Sequence, residues 1–127
     1  MSVDDRQVED GQRRPPAAVG LFDSGWGGLS IAQAIRAELP GVDTVYLGDH
    51  AWCPYGGRDS ATIVARSLAL SRWLAGRGVA MVVIACNTAS ALALDAIKKA
   101  VKIPVVGVIE PGAERAAVAT LHRTVLV

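Results

Sequence analysis

Val79-Ala80-Met81-Val82-Val83-Ile84-Ala85, followed by Cys86-Asn87-Thr88-Ala89-Ser90, is the part of the chain that points most directly to its fold. An unbroken apolar run rich in β-branched residues describes a strand buried on both faces, as in a parallel sheet. The run stops at a cysteine and small polar residues, and over 89–100 the pattern turns helical. The thiol of Cys86 is therefore expected where a strand ends and a helix begins. The unpaired N–H groups and the dipole of a helix N-terminus favour an anion there, and so a thiolate over a thiol. A free cysteine is more often a small buried space-filler, and this segment alone leaves both readings open.

Outward from that stretch, the chain repeats the same alternation. Strands are expected over 18–22, 44–47, 79–85 and 104–109, with a fifth starting over 124–127. Between them, Leu29, Ile31, Ala32, Ile35 and Leu39 form one helical face, closed by Pro40-Gly41. A loop rich in turn formers runs over 48–59, and Ser60 is the expected N-cap of a helix reaching Ala75, ended by Gly76 and Gly78. A further helix opens at Glu110-Pro111-Gly112 and reaches about Leu121. Strict strand–helix alternation predicts an α/β fold, a parallel sheet with helices on both faces.

Length and composition bound the rest. The 127 residues are 51% hydrophobic and 20% charged, which fits one globular domain. Residues 1–17 read as a disordered polar tail and 18–127 as the domain. A net charge of +1 gives no reason to expect nucleic acid or an anionic membrane as partner. No run reaches the roughly 18 apolar residues of a membrane span, and the N-terminus lacks the apolar core of a secretory signal. Two cysteines, Cys53 and Cys86, are too few for a disulfide scaffold and fit a reducing cytoplasm.

In parallel sheets ligands bind beyond the carboxyl ends of the strands. Those ends carry Asp23-Ser24, Gly48-Asp49-His50, Cys86-Asn87-Thr88 and Glu110-Pro111-Gly112. Three chemistries compete for them. Gly25, Gly27 and Ser30 approach a dinucleotide fingerprint with Asp49 as the ribose contact, but Asp23 is awkward beside a pyrophosphate and Trp26 is bulky in the turn. Cys86 could be a hydrolytic nucleophile with His50 or His122 as base, although His122 falls near the far end of the last helix. The third is proton transfer at carbon, in which a thiolate beside an acid removes a weakly acidic α-proton. No lysine stands at a strand end to form a pyridoxal Schiff base, so that reaction would run without the cofactor.

Five segments then fall in a familiar order. They are Val19-Gly20-Leu21-Phe22-Asp23-Ser24-Gly25 with Gly27-Gly28-Leu29, Tyr46-Leu47-Gly48-Asp49, Pro54-Tyr55-Gly56, Ile84-Ala85-Cys86-Asn87-Thr88-Ala89-Ser90-Ala91, and Ile103-Pro104-Val105-Val106-Gly107-Val108-Ile109-Glu110-Pro111-Gly112-Ala113. Together they make the chain resemble the N-terminal half of bacterial glutamate racemases, within the aspartate/glutamate racemase superfamily. The resemblance covers about residues 18–127.

That resemblance implies cofactor-independent, metal-free, two-base racemisation of glutamate for peptidoglycan precursor supply. Cys86 matches one of the two catalytic cysteines and Asp23 the acid that assists it. Ser24, Tyr55, Gly56, Asn87 and Thr88 match positions that hold the substrate. For Asp23 the alternative is a turn residue capping the first helix. For Ser24, Asn87 and Thr88 it is capping and turn formation, which is compatible with binding. The family's second half, with the other cysteine in a Gly-Cys-Thr-His-like motif, is absent, and the chain is expected to stop inside a fifth strand. It is thus expected to be a fragment with little activity alone. Its partners would be glutamate and a missing C-terminal half or a second copy, since a cut strand leaves an apolar edge. A non-catalytic fragment, split subunit or pseudoenzyme, and a racemase of a related amino acid such as aspartate, are the other readings. Asp49-His50-Ala51-Trp52-Cys53 stands where family members carry Asp-Thr-Ala or Asp-Asn-Ala without the cysteine. Trp26 and Trp52 there are expected to pack within loops or against a subunit, and Cys53 to be an incidental thiol.

Overall fold

The computed structural model describes residues 18–122 together with Thr124 and Val125. The tail expected over 1–17 lies outside the described residues. Strands and helices alternate as β1 (Val19–Asp23), α1 (Gly28–Glu38), β2 (Thr44–Gly48), α2 (Ser60–Gly76), β3 (Met81–Ile84), α3 (Asn87–Ala100), β4 (Val105–Gly107) and α4 (Ile109–Ala119). Two single 3₁₀ turns, His50–Trp52 and Tyr55–Gly57, occupy the long loop between β2 and α2.

The strands form one parallel sheet in the order β2-β1-β3-β4. The chain steps one way from β1 to β2, then crosses back over β1 to reach β3. Right-handed crossovers therefore put α1 on one face and α2 and α3 on the other. Side chains alternate accordingly. Val19, Leu21 and Val83 pack with Ala32 of α1. Phe22, Val82, Ile84 and Val105 pack with Ile63, Leu70 and Leu74 of α2 and Ala93 and Ile97 of α3. Each large apolar side chain removed from water in this way contributes about 1.5–3 kcal/mol. The direction of chain travel reverses at β1, so β1 and β3 flank the point where such sheets open a crevice at their carboxyl ends.

Two glycines are dictated by geometry. A Cβ at Gly28 would stand 2.9 Å from the Cβ atoms of both Ala85 and Asp23, so only glycine lets α1 start against the ends of β1 and β3. Gly78, at φ +78°, takes the left-handed conformation just past α2.

Several boundaries differ from the sequence reading. Asp59, not Ser60, caps α2: its Oδ1 accepts from the Thr62 N–H at 2.9 Å and its Oδ2 from the Thr62 hydroxyl at 2.7 Å. α3 starts at Asn87 rather than Ala89, with Cys86 itself as the N-cap. β4 is short, because the chain turns into α4 at Ile109; Pro111 falls in its first turn, where the missing N–H costs nothing. α4 ends at Ala119, which leaves His122 beyond the helix. The expected fifth strand is not found at Thr124 and Val125, which carry no strand pairing, while Leu126 and Val127 lie outside the described residues. Among the described residues, no helix is long and apolar enough to cross a membrane.

Candidate active site

At the end of β1, Asp23 turns its carboxylate toward the start of α1. Its Oδ1 accepts from the Ser24 N–H and its Oδ2 from the Gly28 N–H, both at 2.7 Å. The acid thus caps a helix and is oriented by it. Two strands' ends meet here, since the Ala85 N–H donates to the Phe22 carbonyl at 2.9 Å. That bond carries the pairing of β3 with β1 one residue past the strand and delivers Cys86 opposite Ser24. The Cys86 thiol lies 3.6 Å from the Ser24 hydroxyl oxygen, and its sulfur accepts from the Ala89 N–H at 3.5 Å. Cys86 is only 6% exposed.

Ser90, one turn into α3, ties the next strand in. Its hydroxyl donates to the Ile84 carbonyl at 3.0 Å and accepts from the Val108 N–H at 3.2 Å. The result is a cleft of about 530 Å³ with Asp23, Ser24, Gly27 and Ser30 on one wall, Cys86, Asn87 and Thr88 on the other, and Ile31, Ala85 and Val108 as apolar lining. That volume suits a small-molecule ligand. A groove of about 580 Å³ lies against α1 and β2, but Arg36 is its one ionisable side chain besides the Tyr46 phenol. The smaller cleft, which joins an acid to a thiol, is the candidate site.

The β2 side carries a second polar cluster. The Asp49 carboxylate, 6% exposed, accepts from the Tyr55 hydroxyl at 2.6 Å, from Arg66 Nη2 at 2.6 Å and from Arg66 Nε at 3.0 Å. Burial pushes the Asp49 carboxyl up, but the hydrogen bonds from Arg66 and Tyr55, with the charges of Arg66 and Arg58, hold it below the usual carboxylate range. Burial first, then the hydrogen bond to Asp49 and its charge, push the Tyr55 phenol well above its ordinary value. The Arg58 and Arg66 guanidinium groups sit 4.9 and 5.1 Å from the centre of the Trp52 ring.

A third set of contacts fixes the turn after Ser24. The Gly25 carbonyl accepts from the Tyr46 hydroxyl at 2.9 Å and lies 3.1 Å from His50 Nε2. The His50 ring stacks on Trp26 with centroids 4.0 Å apart. The Tyr46 phenol is raised by burial and then by the charge of Asp23.

Residues 29–127 match the Asp/Glu/Hydantoin racemase family. The chain belongs to this family. It is 50% identical over 106 residues to glutamate racemase from Geobacter metallireducens, a match covering 84% of this chain and 39% of the relative. Among solved structures, glutamate racemase from Aquifex pyrophilus superposes with a TM-score of 0.79 at 50% identity, covering 81% of this chain and 41% of that one. Escherichia coli glutamate racemase, solved with L-glutamate and the activator UDP-MurNAc-Ala, superposes with a TM-score of 0.70 at 40% identity, covering 80% of this chain and 40% of that one. The chain therefore spans about 39% of the length of the Geobacter relative and matches the N-terminal part of these proteins.

In this racemase-family chain the structure brings together Asp23, Ser24, Cys86, Asn87 and Thr88 around one cleft. It places Tyr55 and Gly56 elsewhere. Tyr55 is 1% exposed, packs in the same core cluster as Cys86, and spends its hydroxyl on Asp49. Gly56 is exposed in the second 3₁₀ turn. Cys53 is exposed outside the cleft lining, its sulfur 3.3 Å from where a Cβ on Gly25 would stand. Trp52 packs against the two arginines, and Trp26 stays 69% exposed on His50. Among the described residues no group of His, Cys, Asp and Glu could hold a metal ion. Sequence reasoning missed Tyr46, Ser90 and Arg66. Strand alternation could have flagged Tyr46; nothing in the spacing of Arg66 points to Asp49, 17 residues away.

Proposed function

We propose that this chain carries one half of a glutamate racemase site and moves the Cα proton of glutamate through Cys86. One observation carries the reading: an acid, a hydroxyl and a thiol, from strand ends far apart in sequence, converge on a cleft at the N-terminus of α3. The Cys86 sulfur, as thiolate, takes the α-proton; an S–H bond forms as the Cα–H bond breaks. The electron pair moves into the substrate carboxylate. Ser24, Asn87, Thr88 and the backbone N–H groups at the start of α3 would receive that developing charge, which is where donors lower a barrier most. Asp23 assists proton movement from the end of β1, its carboxylate oriented by the Ser24 and Gly28 N–H groups. Tyr55 and Gly56 would contribute backbone groups from the neighbouring turn, since the Tyr55 hydroxyl is bonded to Asp49. No cofactor is needed for these steps. The glutamate bound to the Escherichia coli relative supports the choice of substrate. Provision of D-glutamate for peptidoglycan, in the cytoplasm, is the corresponding role.

Inversion needs a second base to return a proton on the opposite face, and this cleft holds one thiol. The chain by itself should exchange the proton on one face and not invert. The test is to incubate the 127-residue chain with each glutamate enantiomer in deuterium oxide, following Cα–H by NMR and configuration by chiral chromatography. Slow deuterium uptake by one enantiomer, lost in Cys86→Ala, is expected. Exchange that persists in Cys86→Ala would remove Cys86 from the chemistry. Inversion lost in Cys53→Ala would make Cys53 the second base, and exchange with aspartate but not glutamate would move the substrate assignment.

A further inference from the structure

Behind the Cys86 wall stands a charged pair that the proton-transfer reading does not use. Asp49 follows β2, and its backbone N–H donates to the Asp23 carbonyl at 2.8 Å, so the loop it opens is tied to the catalytic strand. Its carboxylate is buried and bonded by the Tyr55 hydroxyl. The Tyr55 ring in turn packs in the core cluster that contains Cys86 and Ala89, the N-cap and first turn of α3. Tyr55 therefore joins Asp49 to the core cluster that also holds the Cys86 side chain. A bare carboxylate there would act against a second negative charge on Cys86. Arg66 answers it from α2, gripping Asp49 with two hydrogen bonds at 2.6 and 3.0 Å. Its side chain is 32% exposed, so its outer face keeps water while its fork is committed.

We infer that Arg66 is a positioning residue for the candidate site. It neutralises Asp49, so that Asp49 can hold Tyr55 in the core cluster it shares with Cys86 without opposing a thiolate there. The inference rests on the reading of Cys86 as the base. Other titratable groups near this wall are engaged or turned elsewhere: Tyr46 donates to the Gly25 carbonyl, and Cys53 is exposed outside the cleft lining. Asp23 faces it from β1 and is held by two N–H groups. His50 is turned to the Gly25 carbonyl and Arg58 to the Trp52 carbonyl. Glu110, from α4, lines a separate cavity with Ser90 and Leu94. Arg66 is the cation hydrogen-bonded to Asp49.

The experiment is the pH profile of Cys86 alkylation by iodoacetamide in the whole chain, read by peptide mapping. N-acetylcysteine in the same tube is the reference, and circular dichroism reports the fold. Arg66→Met should move the profile to higher pH and slow Cys86 at neutral pH by about threefold, the scale of one partly solvent-screened charge. Asp49→Asn with Arg66→Met removes both charges and keeps an acceptor for Tyr55, so it should return to the wild-type profile. Arg66→Lys keeps the charge and should stay near wild type, which covers the case where Arg66→Met does not fold. A wild-type profile for Arg66→Met, a double variant as slow as Arg66→Met, or a shift in Arg66→Lys would each overturn the inference. A wild-type Cys86 that merely follows N-acetylcysteine would count against Cys86 as the base. The role of Arg66 would still be decided by the shifts between variants.

Discussion

Around Asp49 the hydrogen bonds run from 2.6 to 3.0 Å, whereas Cys86 meets the Ala89 N–H at 3.5 Å and the Ser24 oxygen at 3.6 Å. Both clusters sit at the carboxyl edge of the same sheet, and Asp49 and Cys86 are equally buried. The Asp49 cluster is closed: carboxylate, phenol and guanidinium use one another. The Asp23–Cys86 cluster is open: its acid is oriented by backbone N–H groups, its thiol is loosely held, and both face the cleft. A group that must exchange a proton with a ligand cannot be saturated by its neighbours. A group that only holds a loop in place is best when it is. On the proposed function, the difference separates a reactive wall from its support.

The sharpest way to break this contrast is to remove one acid from each cluster. Asp49→Ala leaves the Tyr55 hydroxyl buried without its acceptor and Arg66 without its counter-ion. The expected loss is about 2–3 kcal/mol in urea unfolding, less than for a fully buried pair because Arg66 can return to water. The pH dependence has a definite sign. Asp49 lies below its unfolded value of about 4, so its contribution is present above that pH and lost as pH falls through the lowered folded value. Unfolding midpoints measured across that acid window should fall for wild type and lose part of their slope in Asp49→Ala. Asp23→Ala should cost less, about 1 kcal/mol, the usual scale for losing a carboxylate at a helix start, because it strands no buried phenol or guanidinium. Equal losses for the two variants would erase the distinction between support and reactive wall.

The smallest effect concerns polar atoms in neither cluster. The Ser67 and Ser71 hydroxyl oxygens of α2 are buried in the core and, among the described residues, have no hydrogen-bond partner. A buried hydroxyl without a partner contributes no stability, so Ser67→Ala should be neutral or stabilising by up to about 1 kcal/mol. A loss above that in thermal melts would mean that these hydroxyls, like those around Asp49, are bonded in solution.

Much of this was legible before any coordinates. The apolar run before Cys86 and the glycine turn after Phe22 fixed strand–turn–helix units, because hydrophobic period and turn chemistry are local. The placement of Asp23, Ser24, Cys86, Asn87 and Thr88 at strand ends followed from the same units. Helix starts were less legible. Ser60 and Asp59 are both good caps, and only the geometry of the Thr62 N–H chose between them. The short β4 escaped because an apolar stretch over 104–109 cannot show where a strand bends into a helix. Tyr55 was legible as part of a motif, yet not as a buried phenol bonded to Asp49.

The alternating units, the parallel sheet they imply and the side-chain types at its carboxyl edge are written locally, because each depends on neighbours within a few residues. The tertiary structure decided the strand order β2-β1-β3-β4, which sets β1 beside β3 and so brings Asp23 and Ser24 to Cys86 across 62 residues. It also decided that Arg66 meets Asp49. Pairing between strands and the reach of a side chain across a loop depend on packing of the whole core, and no local pattern encodes them.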